Sequence, residues 1–202
     1  EAKNWSGDLI AYPIQNGTTQ PAYNWKANEQ LKNKSAASRV IFTMDSDGSK
    51  RVFSEPSVLT GSGSGLSQAQ ITALLAGYPI SSSEANKLPY VKALVNYLRG
   101  DTTYEDESTT VPGLDSSFRT RNGPLGDNVH STPVYGVSAG DSKKFVIFGA
   151  NDGMVHVLNA TNGQELFAYI PSTSYQNLYS LASKSFSHKY FVDGTIKVVN
   201  VP

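Results

Sequence analysis

Residues 145–170 read FVIFGANDGMVHVLNATNGQELFAYI, and the alternation within that stretch decides the fold. β-Branched and aromatic residues alternate with small ones in three short runs, each closed by a turn signal, which is the pattern of antiparallel strands. Phe145 to Phe148 is the first predicted strand, Met154 to Leu158 the second and Glu165 to Ile170 the third. Asn151-Asp152-Gly153 and Asn162-Gly163 supply the turns. Gly153 and Gly163 accept positive φ without penalty, and Asp152 can bond its own turn backbone through a side-chain oxygen.

Working outward, residues 5–14, WSGDLIAYPI, repeat the same pattern, with Gly7-Asp8 ahead of Leu9, Ile10, Ala11 and Tyr12. Two copies of one unit predict a repeat architecture, with Trp5 packed between units and Pro13 ending its strand or holding it at an edge. Arg39 to Thr43, RVIFT, is a further strand. From Phe118 the chain returns to strands through FRTRNGPLGDNVHSTPVYG, with a turn at Asn122-Gly123-Pro124 and a strand around Val129 to Val137. The last elements are a helix over Tyr175 to Ala182, capped by Ser172 or Ser174, and a strand pair around YFVDGTIKVVNV turned at Asp193-Gly194.

Residues 44–117 lack the alternation and read as a helical and loop insertion within one domain spanning 1–202. Ser67 to Gln70 has the spacing of a capping box, with Ile71, Leu74 and Leu75 apolar behind it and Gly77 placed to end the helix. Val91, Leu94, Val95 and Leu98 fall at i, i+3, i+4 and i+7, with Pro89 in the first turn and Gly100 after the last apolar residue. The Gly61 to Gly65 and Ser81 to Ser83 connectors and the acidic loop Glu105-Asp106-Glu107 are expected on the surface.

Composition narrows the function. The 202 residues carry 17 basic and 17 acidic side chains and no cysteine. Zero net charge gives no field to gather nucleic acid or an anionic membrane. No apolar run reaches the length of a membrane helix, and the first residues lack the basic start and apolar core of a signal peptide, so the chain reads as mature or excised. Without cysteine there is neither a disulfide framework nor a thiolate metal site.

The ordered series WSGDLIAYPI, YNWKANEQL, RVIFT, LVNYLRGD, FRTRNGPLGDNVHSTPVYG, FGANDGMVHVLNATNGQELFAYIP and HKYFVDGTIKVVNV resembles the opening part of the C-terminal propeller of the PilC/PilY family, the type IV pilus tip-associated biogenesis factors and adhesins. The resemblance implies a mainly β fold, part of a quinoprotein-like β-propeller of antiparallel blades with a helical insertion. Two to three blades fit this chain, fewer than a ring needs to close. It further implies an extracellular place at the pilus tip or outer membrane surface, pilus tip or minor pilin proteins and a host-cell receptor as partners, and no cofactor within this chain. The family's calcium loop is expected beyond residue 202.

Individual residues carry competing readings. Asp45-Ser46-Asp47-Gly48-Ser49 looks like a calcium loop, but its glycine comes early and Pro56 stands where the twelfth-position acid belongs, so a turn is expected. Arg99-Gly100-Asp101 is an RGD tripeptide that could engage a receptor from an exposed loop; the helix-end reading, with Gly100 as cap, is favoured. Trp5, Gly7, Arg119, Arg121, Gly126, Asp127, His130, Asn151, Asp152, Gly153, Asp193 and Gly194 form the structural signature, with the Arg119, Arg121, Asp127 and His130 group read as ties between neighbouring units rather than as a ligand site. His156 and His188 read as satisfied structural histidines.

Three function classes follow: a binding and assembly module of the pilus machinery, a quinoprotein-like dehydrogenase fragment, and a carbohydrate-binding surface protein. No nucleophile, base and orienting group share a recognisable motif. The missing vicinal cysteine pair counts against the dehydrogenase, and shared blade pattern alone does not establish chemistry.

Overall fold

The computed structural model describes residues 5–140 and 142–199. In chain order the elements are β1 Ile10–Ala11, β2 Ile14–Gln15, β3 Thr18–Thr19, β4 Trp25–Lys26, α1 Ala27–Lys32, β5 Ile41–Met44, β6 Lys50–Val52, α2 Gln68–Leu74, α3 Lys87–Leu98, β7 Val134–Val137, β8 Lys144–Ala150, β9 Met154–Asn159, β10 Glu165–Ile170 and α4 Tyr175–Leu178. One sheet in the order β6-β5-β10-β9-β8-β7 carries the fold. Strands β7 to β10 are consecutive and antiparallel, a four-stranded meander. The β5–β6 hairpin joins its edge through a parallel pairing of β5 with β10.

Register explains why this meander is stable. Phe148 lies opposite His156, His156 opposite Ala168, and Ala168 opposite Ile41, so four strands contribute one row on a single face. All four are fully buried. Two apolar clusters cover that face. One joins Ile41, Met154, Ala168 and Ile170 to the helical residues Ile71, Leu74, Val91, Leu94, Leu98 and Leu178. The other joins Phe148, Ala150 and Leu158 to Trp25, Ala27, Leu31 and Leu125. At roughly 25 cal/mol per Å² of apolar surface removed from water, such burial is the main stabilising term. The opposite face carries Phe42, Phe145, Ile147, Val155 and Tyr169, all only part-buried, and an exposed Phe167.

Helices form where the spacing predicts them. Ser67 accepts from the Gln70 backbone N–H while Gln70 reaches back to the Ser67 N–H, a complete capping box. Gly100 sits at φ 103 after α3, its N–H donating to the Tyr97 carbonyl. The predicted cap of the last helix differs. Neither Ser172 nor Ser174 caps it, and it breaks into a short α turn between two 3-10 turns, with the Ser174 hydroxyl buried instead.

Other departures have local causes. The repeat foreseen at residues 5–14 forms two-residue ladders, β1 with β4 and β2 with β3, and no second meander among the described residues. Pro13, which has no N–H to give a ladder, stands between β1 and β2. β7 begins at Val134 and not near Val129, since Pro133 lacks a donor and the Asn128 side chain ties the preceding loop to the Ser131 and Gly149 carbonyls. Lys50–Val52 is a strand inside the span read as helical and loop, too short and too basic for alternation to show. Residues 190–199 form no strand pair, because Asp193 turns its carboxylate on His130, accepting from the His130 N–H at 2.7 Å and contacting its ring Nδ1. Residues 1–4 and 200–202 of the sequence reading, with the end of that last strand, lie outside the described residues.

Candidate functional site

The segment 119–127 crosses the β8–β9 turn so closely that only glycine fits at the crossing. A Cβ on Gly126 would stand 2.3 Å from the Asp152 nitrogen, and one on Gly7 would stand 2.8 Å from the Asp127 Cα. The crossing is fastened by polar bonds. Gly126 N–H donates to Asp152 Oδ2 at 3.0 Å, Asn151 N–H donates to the Asp127 carbonyl at 2.9 Å, and the Asn151 amide donates to Asp127 Oδ2 at 2.9 Å. Asn151 Oδ1 accepts the Phe191 N–H, and His188 Nε2 meets Asp127 Oδ2 at 2.9 Å, which draws residues 188–191 over the same turn. The Trp5 ring lies on His188, centroids 4.3 Å apart.

A narrow cleft of about 20 Å³, room for about one water, opens beside this crossing. It gathers Trp5, Arg119, Arg121, Gly126, Asp127, Asn151 and Asp152, seven of the residues singled out from sequence. His130, Asp193 and Gly194 do not line it; nor do Arg99, Gly100 and Asp101. Arg121 is turned inward. It pairs with Glu105, gives its backbone N–H to Glu105 Oε2 at 2.8 Å, donates to the Asp101 carbonyl at 3.2 Å, and stacks over the Tyr97 ring at 3.6 Å. Glu105 is therefore buried, not on the surface as its acidic neighbours suggest, because a buried arginine needs a carboxylate beside it. Arg119 donates from Nε to the Leu181 carbonyl at 3.1 Å and lies over the Phe186 ring.

Beneath the turn runs a buried charge network that the sequence did not announce. Arg39 donates to both Glu165 oxygens at 2.8 Å, His156 Nδ1 stands 3.0 Å from Glu165 Oε1, and His156 Nε2 stands 3.0 Å from Asp152 Oδ2. Phe148 stacks on the imidazole, centroids 5.4 Å apart. Burial alone would lower the His156 pKa, but Asp152 first and then Glu165 outweigh it and raise it to about 9. Burial would raise the Glu165 carboxyl, yet Arg39 and His156 hold it well below its ordinary value. Asp152 follows the same logic: burial opposes ionisation, and His156, the Gly126 N–H and Arg39 prevail. Both imidazole nitrogens are committed to carboxylates, which leaves neither to move a proton for a substrate. A Glu opening an apolar strand and the Arg that opens RVIFT were the available signals; each looks like an ordinary strand end until β5 and β10 are paired.

Two sequence motifs resolve locally. Asp45 Oδ1 accepts from the Ser46 N–H and the Ser67 hydroxyl while Oδ2 faces Arg51, and Asp47 accepts from Ser49, so both carboxylates are spent within the turn and its helix cap. In the RGD tripeptide, Arg99 is 6% exposed. Its guanidinium donates to the carbonyls of Phe53, Ala37 and Arg39. Burial, then the Arg39 charge, depresses its pKa.

These features define a class: a β-meander module whose polar residues are spent on joining segment to segment. Sequence comparison carries the identification further: nearly the whole chain aligns with a segment of proteins named type IV pilus biogenesis factor PilY1. It is 32% identical over 225 residues to the type IV pilus biogenesis factor PilY1 of Pseudomonas aeruginosa strain PAK, covering 96% of this chain and 18% of that protein. Against PilY1 of strain UCBPP-PA14 the identity is 29% over 221 residues, 96% of this chain and 17% of the relative. A PilY1 homolog of Xylella fastidiosa strain Temecula1 is 28% identical over 220 residues, 98% of this chain and 15% of the relative. The chain thus spans less than a fifth of the length of these relatives. No family model and no solved structure matches it. Among the described residues, no helix is long and apolar enough to cross a membrane.

Proposed function

We propose that this chain is a binding and assembly segment of a type IV pilus biogenesis factor, with no turnover of its own. The observation that carries the proposal is the alignment of nearly the whole chain with proteins named for that role. The interior supports it: the titratable groups that meet in the buried network bond one another, where an enzyme would leave convergent acid, base and electrophile facing a substrate. Its place is extracellular, at the pilus tip or outer membrane surface, in contact with pilus tip or minor pilin proteins and a host-cell receptor. It uses no cofactor within these residues, and calcium binds elsewhere in the parent protein.

The propeller reading belongs to the same proposal. A four-stranded antiparallel meander in sequence order is the unit of a propeller blade. The part-buried apolar face bearing Phe42, Phe145, Ile147 and Tyr169 suits a neighbouring sheet packed about 10 Å away. In-frame deletion of this segment from the parent protein is expected to reduce surface pili, and loss of the retraction motor in the same strain to restore them. Normal piliation after deletion, with quinone-dependent dye reduction by the purified chain, would overturn the assembly role in favour of the dehydrogenase.

A further inference from the structure

Three asparagines in this chain precede glycine, Asn16, Asn122 and Asn162, and the fold treats them differently. With no side chain on the next residue, the backbone nitrogen that follows an asparagine can reach that asparagine's own carboxamide carbon. All three therefore meet the local requirement for intramolecular amide attack. What separates them is whether the reacting groups are free and whether the chain around them can move.

At Asn162 the reacting groups themselves are tied. The Gly163 N–H donates to the Asn159 carbonyl at 2.8 Å, and Asn162 Oδ1 accepts the Gln164 N–H at 3.0 Å. Gly163 is buried where a Cβ would stand 2.6 Å from the Trp25 ring, in the turn that joins the two central strands of the six-stranded sheet. Asn122 is restrained through its surroundings. It lies in the segment fastened across the β8–β9 turn, where Glu105 holds the Arg121 N–H, the Asn122 carbonyl takes the Asn28 amide at 3.4 Å, and a Cβ on Gly123 would stand 2.2 Å from Asn28 Oδ1.

Asn16 has neither restraint. With Gly17 it forms the two-residue turn between β2 and β3, at φ 51 and 75, the pattern of a type I′ hairpin. Among the described residues, the Gly17 N–H and the Asn16 carboxamide make no hydrogen bond, and a Cβ on Gly17 would meet nothing within 4 Å. Every residue from Ile14 to Thr19 is exposed. A hairpin this short, with no apolar burial, is marginal by itself and opens far more readily than the sheet that holds Asn162. Opening matters, because the ring closes only when the Asn16 backbone leaves the turn.

We infer that Asn16 is a covalent modification site, at which the chain deamidates through its own backbone. Base removes the Gly17 N–H proton and that nitrogen bonds to Asn16 Cγ. The Cγ–Nδ2 bond breaks and ammonia leaves with a proton from solvent, giving a five-membered succinimide; water then opens either of its carbonyls to leave aspartate or isoaspartate. Each event adds one negative charge to a chain whose 17 basic and 17 acidic side chains balance. Aspartate can keep the turn, whereas isoaspartate adds a methylene to the backbone of a two-residue loop and undoes its register.

The inference does not depend on the pilus role. Folded protein kept in mildly alkaline buffer and sampled over weeks by peptide mapping with mass spectrometry tests it. Deamidation at Asn16 should run at least tenfold faster than at Asn122 or Asn162, and its product should accept a methyl group from protein isoaspartyl methyltransferase. Asn16→Gln, whose longer side chain closes its ring far more slowly, should remove most of the acidic species seen by ion exchange. In urea the three sites should react within a few-fold of one another, since the same dipeptide is then equally free at each. Loss at Asn122 or Asn162 within tenfold of Asn16 in the folded chain, or no loss at Asn16 over a period in which it reacts in urea, would overturn the site. So would an order of reaction that persists unchanged in urea, which would assign the selectivity to neighbouring side chains and not to the fold.

Discussion

Arg39 and Glu165, 126 residues apart in the chain, meet as a two-bond ion pair at 2.8 Å, with side chains 2% and 0% exposed. The pair sits where β5 lies beside β10, the parallel junction that attaches the hairpin to the meander. Taking two charges out of water is costly, and removing one partner leaves the other uncompensated, typically a loss of about 3–5 kcal/mol. Glu165→Ala should lower the urea midpoint accordingly. The Arg39→Met/Glu165→Met double variant should lose less than either single change, since no orphan charge remains. A double-variant loss equal to the sum of the two singles would show that the pair is not coupled.

The same network sets a pH window. His156 is raised from 6.5 to about 9 in the folded chain, so its contribution is fully present below about pH 6.5 and is lost as pH rises through 9. Asp152 and Glu165 are lowered, so theirs is present above about pH 4 and lost on acidification. Melting temperature should therefore decline on both flanks, with the alkaline decline beginning above neutrality. In His156→Gln the alkaline decline between pH 7 and 9 should flatten, and an unaltered slope there would remove His156 as its source.

What was legible in the sequence follows from how local each signal is. The turn at 151–153, the Ser67 to Gln70 box and the Gly100 cap depend on residues within one turn of one another, and all three are present. The gathering of Trp5, Arg121 and Asp152 at one cleft needed the path of the loop between them. Glu105 and Glu165 were misjudged or overlooked for one reason: a carboxylate is placed by its cation, and their arginines lie 16 and 126 residues away. The strand foreseen at the end of the described chain failed differently. Alternation in TIKVV registers β propensity, but a strand also needs a ladder partner, and among the described residues it has none.

Gly153 stands at φ 92, and a Cβ there would lie 2.5 Å from Leu178 Cδ2. Gly153→Val must therefore adopt a strained backbone and push the buried Leu178 side chain of α4 aside. A loss of at least about 1 kcal/mol is expected by denaturant unfolding. An unchanged midpoint would mean that the turn relaxes to negative φ without cost to the fold.

The RGD tripeptide separates stability from attachment. Arg99 is buried on the carbonyls of Phe53, Ala37 and Arg39, so Arg99→Ala leaves three acceptors without their donor. At about 1 kcal/mol each, the loss is on the order of 3 kcal/mol. The Asp101 carboxylate accepts the Thr103 N–H within its own turn, while the carbonyl that Arg121 bonds is unaffected by a side-chain change, so Asp101→Ala should cost less than about 1 kcal/mol. If the tripeptide is a helix end alone, cells carrying Asp101→Ala in the parent protein should attach as well as wild type. Those carrying Arg99→Ala should lose attachment only in proportion to the folded protein displayed. Attachment lost in Asp101→Ala at normal display and normal melting temperature would instead make Asp101 a receptor contact, with Arg99 serving to hold the loop that presents it.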